Sequence, residues 1–418
     1  MIAVELIATC ESSTETTDGF GLITAQQRLG VGMKAGWRVT KLGEVCEIIM
    51  GQSPDGESYN TTGEGVPLIN GPVEFSKGSF GNTVKSKFTT QPTKFCKTGD
   101  LILCVRGSTT GKMNIAGFDA CIGRGVAAIR AKQYQPWINH FISSKRDEIH
   151  GKGTGATFPN VSGAMVADFE ICMPPIPEQQ RIVTVLDEAF DGIATAKLNA
   201  EKNLQNARAI FESHLQAVFT QRGDGWFERT LGNTYDVRDG THDSPKYHDN
   251  GFPLITSKNL KRDGLSFDDV RLIDVADYRK INERSAVHKG DVLLAMIGTI
   301  GNPVVVETEP AFAIKNVALL KVPAGQNSHF LRYYLSSQFV VDKMQSEAKG
   351  TTQKFVGLGY LRSFPIMVPS GAEQASVVCA LDELSTETNR LEEIYQQKLT
   401  ALDELKKSLL HRAFNGDL

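Results

Sequence analysis

The 418-residue chain is 41% hydrophobic and 22% charged, an ordinary globular composition that excludes disordered, collagen-like and purely coiled-coil chains and allows two to four domains at roughly 150 residues each. No run of 18 uncharged apolar residues marks a membrane span, and seven cysteines without a CxxC pair argue against a disulfide framework or a zinc site, which fits a soluble protein of a reducing cytoplasm. The net charge of −3 would by itself argue against a polyanionic partner.

Residues 1–36 begin on an apolar patch that contains Glu5 and has no basic segment before it, so they read as an upstream extension rather than a signal peptide. Residues 37–177 are rich in Gly, Thr and Asn, with short β-prone runs between turn residues, such as 101–105 after Thr98-Gly99-Asp100, and a short helix expected over 137–145. Residues 178–221 follow prolines 174, 175 and 177 and place Ile182, Leu186, Ala189, Ile193, Ala196, Ala200, Ala207 and Ile210 at helical spacing. Residues 222–372 return to the first pattern, with a β-prone run over 292–296 after Lys289-Gly290-Asp291 and a helix expected over 329–338. Residues 373–418 form a second long helix, with Val377, Leu381, Leu384, Leu391, Tyr395, Leu402, Leu405 and Leu409 on its apolar face.

These segments are two copies of one unit. At an offset of 195, residues 169–219 match 364–414 at 13 of 51 positions, where roughly three are expected by chance from average residue usage. The identities include Phe169/Phe364, Pro174/Pro369, Glu178-Gln179/Glu373-Gln374, Leu186-Asp187-Glu188/Leu381-Asp382-Glu383 and Phe219/Phe414. Upstream, Gly36-Trp37 recurs as Gly225-Trp226, Gly99-Asp100 as Gly290-Asp291, and Lys152-Gly153-Thr154 as Lys349-Gly350-Thr351. The chain therefore reads as two mixed α/β globules, each followed by a long helix. The first helix shows mainly Ala and the second mainly Leu and Tyr, so the two are expected to pair with each other. Phe190, Leu204, Phe211, Leu215 and Val218 make the apolar face of the first helix wider than a two-stranded seam needs, which implies a further partner surface.

Charge separates along the same boundaries. Residues 1–36 carry −2, 37–177 carry +3, 178–221 carry −2, 222–372 carry +2 and 373–418 carry −4. A polyanion would meet the two globules and avoid the helices.

No catalytic motif is complete. Arg106-Gly107-Ser108-Thr109-Thr110-Gly111-Lys112 resembles a phosphate loop, but its spacer is one residue short and Met113 replaces the Ser/Thr, so a structural turn is preferred to a phosphate contact by Lys112. Asn302-Pro303-Val304 lacks the second proline and the aromatic of an adenine-methyltransferase loop, and nothing after Pro54-Asp55 supplies nuclease carboxylates. The eight histidines lack metal-ligand spacing, and Cys96, Cys104 and Cys121 fit buried strands better than a metal. The stronger signal is the run Gly151-Lys152-Gly153-Thr154-Gly155-Ala156-Thr157-Phe158-Pro159-Asn160 with its copy Lys349–Phe355, a basic, hydroxyl-rich loop suited to phosphates and base edges. The structural alternative is a loop anchored on its domain by Phe158 and Phe355.

Two divergent globules, each ending in a KGxT…F segment, an apolar-Pro stretch and an EQ helix (Pro174-Pro175-Ile176-Pro177-Glu178-Gln179-Gln180-Arg181-Ile182), resemble the specificity subunit of a type I restriction-modification enzyme over residues 36–418. The second junction, Pro369-Ser370-Gly371-Ala372-Glu373-Gln374, departs from the pattern in losing the later prolines and the arginine. The resemblance implies an α/β (α+β) fold in which target recognition domain 1 (37–177) and target recognition domain 2 (222–372) are separated by two conserved spacer helices (178–221 and 373–418), antiparallel and coiled-coil-like about a pseudo-twofold axis. Each domain would read one half of a gapped double-stranded DNA target. The partners implied are two methyltransferase (M) subunits using S-adenosylmethionine and two restriction/translocase (R) subunits using ATP and Mg, with no cofactor and no catalytic residue in this chain. Helices of about 40 residues would span about 60 Å at 1.5 Å per residue. Half-sites about 10 to 13 base pairs apart need roughly 34–44 Å.

The candidate DNA contacts are Arg106, Lys112, Lys152, Thr154 and Thr157 in the first domain and Lys246, Tyr247, Lys258, Lys349, Thr351, Gln353 and Lys354 in the second. Phe190, Phe211 and Val218 are the candidate methyltransferase-binding residues. The alternative is a fused methyltransferase or nuclease half with intrinsic activity, which methyl transfer to DNA by the isolated chain would reveal. A scaffold binding protein alone would show no salt-dependent DNA affinity.

Overall fold

Each long hydrophobic run of the sequence becomes a strand buried on both faces, and this sets the layering of each half. The computed structural model describes residues 34–152, 160–221, 223, 225–262, 264–350 and 354–418, and all but the last three residues of the 1–36 extension lie outside them. The chain forms two compact units: one holds the described residues up to Asn199 together with Lys398–Leu418, and the other is Ala200–Gln397.

In the first unit the elements are β1 (Arg38–Lys41), β2 (Cys46–Met50), β3 (Val66–Ile69), β4 (Leu101–Cys104), β5 (Met113–Ile115), β6 (Ala120–Ile122), β7 (Val126–Ala131), α1 (Gln135–Ser144), β8 (Glu170–Met173) and the first part of α2 (Ile176–Gln221). An antiparallel sheet runs β2-β7-β4-β5. In β4, Leu101 and Leu103 enter the core that contains Trp137 of α1, while Ile102 and Cys104 enter a second core with Ile69 and Ile122. Covering on both faces explains why this strand is a continuous apolar run and not an alternating one. A second sheet contains the parallel pair β3/β6, with Leu68 opposite Cys121 and Ile69 opposite Ile122. β1 pairs antiparallel with β8, so the entry and exit of the domain are tied together where α2 begins.

The second unit repeats the topology with β9 (Phe227–Thr230), β10 (Asp236–Asp239), β11 (Phe252–Ile255), α3 (Val275–Ser285), β12 (Val292–Ala295), β13 (Gly301–Val305), β14 (Ala313–Ile314), β15 (Val317–Lys321), α4 (Ser328–Ser336), β16 (Pro365–Val368) and the first part of α5 (Gly371–Asn415). The sheet β10-β15-β12-β13 matches β2-β7-β4-β5, the parallel pair β11/β14 matches β3/β6, and β9/β16 matches β1/β8. The duplication read from the sequence is thus a duplication of strand order, and of register except at β12/β13, where a bulge between Leu293 and Ala295 shifts the pairing that β4/β5 keeps regular.

The recurrent Gly-Asp and Glu-Gln pairs are structural. Asp100 is buried, accepts from Lys97 N (2.7 Å), and is held by Arg130 Nε and Nη2 at 2.8 and 2.7 Å; Asp291 accepts from His288 N (2.7 Å) and Lys321 Nζ (2.9 Å). Gln179 and Gln374, both buried, donate through Nε2 to Pro174 O (2.8 Å) and Pro369 O (3.0 Å), fastening the first turn of each long helix to the strand before it. In the second copy the lost arginine is replaced functionally: Arg181 pairs with Glu178, whereas Glu373 accepts from Trp226 Nε1 at 2.7 Å.

Within the first unit, Ile182, Val183, Leu186 and Ile193 of α2 share a core with Leu409, Leu410, Ala413 and Phe414 of α5, and Lys197 Nζ meets Asp403 at 2.7 Å. Within the second, Leu215 and Phe219 share a core with Val378 and Leu381, and Arg208 meets Glu392 at 2.8 Å. In each unit the helices run antiparallel. The expected seam does not hold at every position: Ile210, Leu391 and Leu405 are exposed, because an apolar stripe on a straight helix drifts by about 20° per heptad from a two-stranded seam.

Candidate nucleic-acid interface

The turn after β4 closes on itself. Thr110 N donates to Gly107 O (3.1 Å), Gly111 N to Cys104 O (2.9 Å) and Lys112 N to Thr109 O (3.0 Å), with Gly107 and Gly111 at φ +75° and +88°. A phosphate loop needs these N–H groups unspent, so the structural reading of the turn holds. Arg106 and Lys112 stand exposed at its base, and Arg106 pairs with Asn160 while Val161 N donates to Val105 O (2.9 Å). The return of the Gly/Thr-rich run therefore lands beside Arg106. The neighbouring segments follow in contact: Val105 N donates to Gly125 O, Gly123 N to Ile69 O, Gln52 N to Ile122 O, and Arg124 N to Ser53 Oγ, at 2.9 to 3.2 Å. A Cβ on Gly51 would lie 2.2 Å from Gly123 O, so that crossing requires glycine.

The second unit builds the same rim from different residues. Thr241 N donates to Ile314 O, Lys315 N to Ile255 O, Ser257 Oγ to Ile297 O, and Gly298 N to Lys354 O, at 2.8 to 3.3 Å, and Lys349 and Phe355 exchange backbone bonds of 2.9 and 2.8 Å. Lys258, Lys349 and Lys354 are thereby brought together around the turn after β12. Lys246 and Tyr247 lie further along the loop that starts at Gly240, beside Arg271, whose guanidinium sits 5.8 Å from the Tyr247 ring. Thr154, Thr157, Thr351 and Gln353 lie outside the described residues, as does the side chain of Lys152. Phe355 is 42% exposed and does not anchor its loop in the core, which removes that half of the structural alternative; Phe158 lies outside the described residues.

Two acidic groups near these rims are engaged inside the fold, whereas Asp243 and Asp249 are exposed. Glu74 is buried and accepts from Asn70 N, Gly71 N and Ser86 Oγ; Asp239 is held by Arg284 and by His242 Nε2 at 2.9 Å. His242 Nδ1 also meets Asn316 Oδ1 at 2.8 Å, and the bonds to Asn316 and Asp239 push the imidazole above its ordinary pKa, favouring the cation. Asn316 sits at φ +54°, a left-handed conformation of the kind that concentrates at binding sites. Among the described residues, Arg106, Lys112, Arg124, Lys258 and Lys349 make no ion pair, so their charges face solvent. Arg124 and Lys315, two rim cations that sequence spacing alone did not single out, are carried there by the ends of β6 and β14. Their signals are local: a Gly-Arg-Gly triplet, and a Lys-Asn pair directly after a strand.

The wide face of α2 is met within each unit. Phe190 lies against the His140 ring (5.5 Å) under Lys406 Nζ (4.7 Å), Phe211 lies 6.2 Å from the Tyr333 ring, and Val218 packs on the second core. The globule of each unit supplies the extra surface, and the width of the face does not itself require a second protein.

The model of the type I restriction modification DNA specificity domain matches the chain twice, over residues 34–205 and 224–401. The chain is 21% identical over 427 residues to the EcoBI specificity subunit of Escherichia coli, covering 91% of this chain and 86% of that protein. It is 33% identical over 177 residues to a putative MjaX specificity subunit of Methanocaldococcus jannaschii, a match that covers 41% of this chain and 40% of that relative. Among solved structures it is similar to a chain of a type I R-M system (TM-score 0.76, 20% identity, 93% of this chain and 100% of that one) and to the HsdS subunit of Thermoanaerobacter tengcongensis (TM-score 0.60, 20% identity, 93% and 99%).

Proposed function

The chain belongs to the type I restriction modification DNA specificity family, and from that premise we propose that the rim of each recognition domain reads one half of a two-part DNA target. The observation that carries this reading is the repetition of one rim architecture with different side chains: Arg106, Lys112 and Arg124 in one copy, Lys258, Lys315, Lys349 and Lys354 in the other. Equal scaffolds place the readers equivalently, and unequal side chains give them different base preferences. The flanking cations supply the phosphate attraction.

In this reading the chain is the non-catalytic subunit. Two methyltransferase subunits using S-adenosylmethionine and two ATP- and Mg-dependent restriction/translocase subunits perform the chemistry, in the cytoplasm. No helix of the described residues is long and apolar enough to cross a membrane. Thr154, Thr157, Thr351 and Gln353 remain proposed contacts, and Phe190, Phe211 and Val218 contribute to methyltransferase docking through whatever edge their own domain leaves uncovered. Mapping methylated adenines in a host that carries this chain with a methyltransferase partner tests the reading: the expected result is one gapped, asymmetric motif. Methyl transfer by the purified chain alone, or a continuous motif, would overturn it.

A further inference from the structure

A second contact between each recognition domain and its helix recurs in both units with different chemistry. In the first, His140 of α1 is almost completely buried, and its Nε2 lies 2.8 Å from Asp187 Oδ1 of α2; a carboxylate partner makes that nitrogen the donor. Phe80 and Phe190 enclose the ring at 5.0 and 5.5 Å, and Nδ1 is buried with no partner among the described residues. In the second, Tyr333 of α4 donates its hydroxyl to Asp382 Oδ1 of α5 at 2.5 Å. The positions correspond. Trp137 and Phe330, three residues before His140 and Tyr333, are both buried, and each packs against a helix-end phenylalanine, Phe414 or Phe219, that is itself one of the repeat identities. Asp187 and Asp382 are likewise identities of the repeat, while the donor has changed from imidazole to phenol.

In each pair a buried donor meets a carboxylate that faces solvent, so the bond adds little adhesion beyond the apolar packing around it, and its retention in two diverged copies points to a role in orientation. Geometry supplies one. The Gln179 and Gln374 bonds hold each helix at its first turn, and the aspartates lie eight residues further on, about 12 Å along the axis at 1.5 Å per residue. One directional contact is a pivot; two fix an angle. Apolar packing between them is non-directional and leaves that angle soft. A domain of about 140 residues has a radius of gyration of about 14 Å, so its reading edge stands about 15–20 Å from the pivot, and a rocking of about 10° moves it by about 3 Å. That is close to the 3.4 Å rise of one base pair.

We propose that Asp187 and Asp382 are positioning residues that lock each recognition domain at one angle on its helix and so determine the number of base pairs tolerated between the two half-sites. The inference rests on the DNA-specificity reading above. It is tested with the full chain assembled with its methyltransferase partner, by measuring binding to duplexes carrying both half-sites with the natural spacer and with one base pair added or removed. Tyr333→Phe, which keeps the ring and its packing, Asp382→Ala and Asp187→Ala are expected to raise binding to the altered spacers, relative to the natural one, by at least threefold. The base preferences of each half-site stay as they were. Asp382→Asn, which still accepts the hydroxyl, is expected to keep the native spacer profile. An unchanged profile in both Tyr333→Phe and Asp382→Ala overturns the inference, as does loss of half-site base preference in Tyr333→Phe. A wild-type assembly with no two-part target overturns the DNA-specificity reading itself, a separate outcome seen before any variant is made.

Discussion

The two recognition domains share strand order, parallel crossover, closing strand pair and helix clamp, yet differ at nearly every exposed rim residue. The first presents arginines beside glycine turns, Arg106 and Arg124; the second presents lysines and the His242–Asn316 pair. The difference teaches where constraint lies. Buried positions keep their type because packing and buried hydrogen bonds demand it, and rim positions are free to change what the domain contacts. One buried position departs from this, where the histidine of the first unit becomes a tyrosine in the second against an unchanged aspartate.

The comparison breaks first at the shared cores. Phe414→Ala should cost the first unit about 3–5 kcal/mol and Phe219→Ala the same in the second, each read by hydrogen exchange of its own unit; a loss spread equally over both units would deny that they are separate cores. Asp100→Ala should destabilise the first unit by about 1.5–3 kcal/mol because it removes the backbone bond from Lys97 and two of the three carboxylate bonds of the Arg130 guanidinium, leaving only that to Glu47. Asp291→Ala should cost less, since Lys321 makes one bond to it, and chemical denaturation monitored in each unit gives the order. At the rim, Arg106→Ala and Lys258→Ala should leave stability unchanged while weakening DNA binding and lowering the slope of log affinity against log salt by about 0.9 each, if each contacts one phosphate.

The smallest effect is in pH. Burial holds His140 below its ordinary pKa, outweighing the pull of Asp187 in the other direction, with Lys406 adding to the lowering. The unfolded chain then takes up the proton first, so the contribution of this group to stability is present above about pH 6.5 and declines as pH falls through 6.5 toward the folded value. Tyr333 is pushed up to about 12 by burial and by Asp382, so the matching pair in the second unit is indifferent to mild acid. Unfolding of the His140→Tyr variant between pH 7 and 5 should lose this acid sensitivity; an unchanged profile would place it elsewhere.

Much of this architecture was legible in the sequence because duplication turns chance resemblance into register. Gly99-Asp100 and Gly290-Asp291, or Gln179 and Gln374, recur since each closes a buried hydrogen bond that has no substitute. The helix faces were readable as stripes, but the exposure of Ile210, Leu391 and Leu405 was not, because which part of a drifting stripe is covered depends on the domain packed against it. Likewise Phe190 and Phe211 signalled a surplus of apolar surface without saying that rings of the adjoining recognition domains meet it. The rim was the least legible. Arg124 and Lys315 carry only weak local signals, and their place on it follows from the parallel strand pairs β3/β6 and β11/β14, whose partners lie far apart in sequence.

The central claim, that each rim reads its own half of one gapped target, is tested most directly by selecting bound duplexes from a random pool with the assembled complex, comparing the native chain with a variant carrying Lys258→Ala and Lys349→Ala. The account predicts that one half of the selected motif weakens or changes while the other half and the native spacer persist. Equal degradation of both halves, or selection of one continuous motif by the native chain, would contradict it.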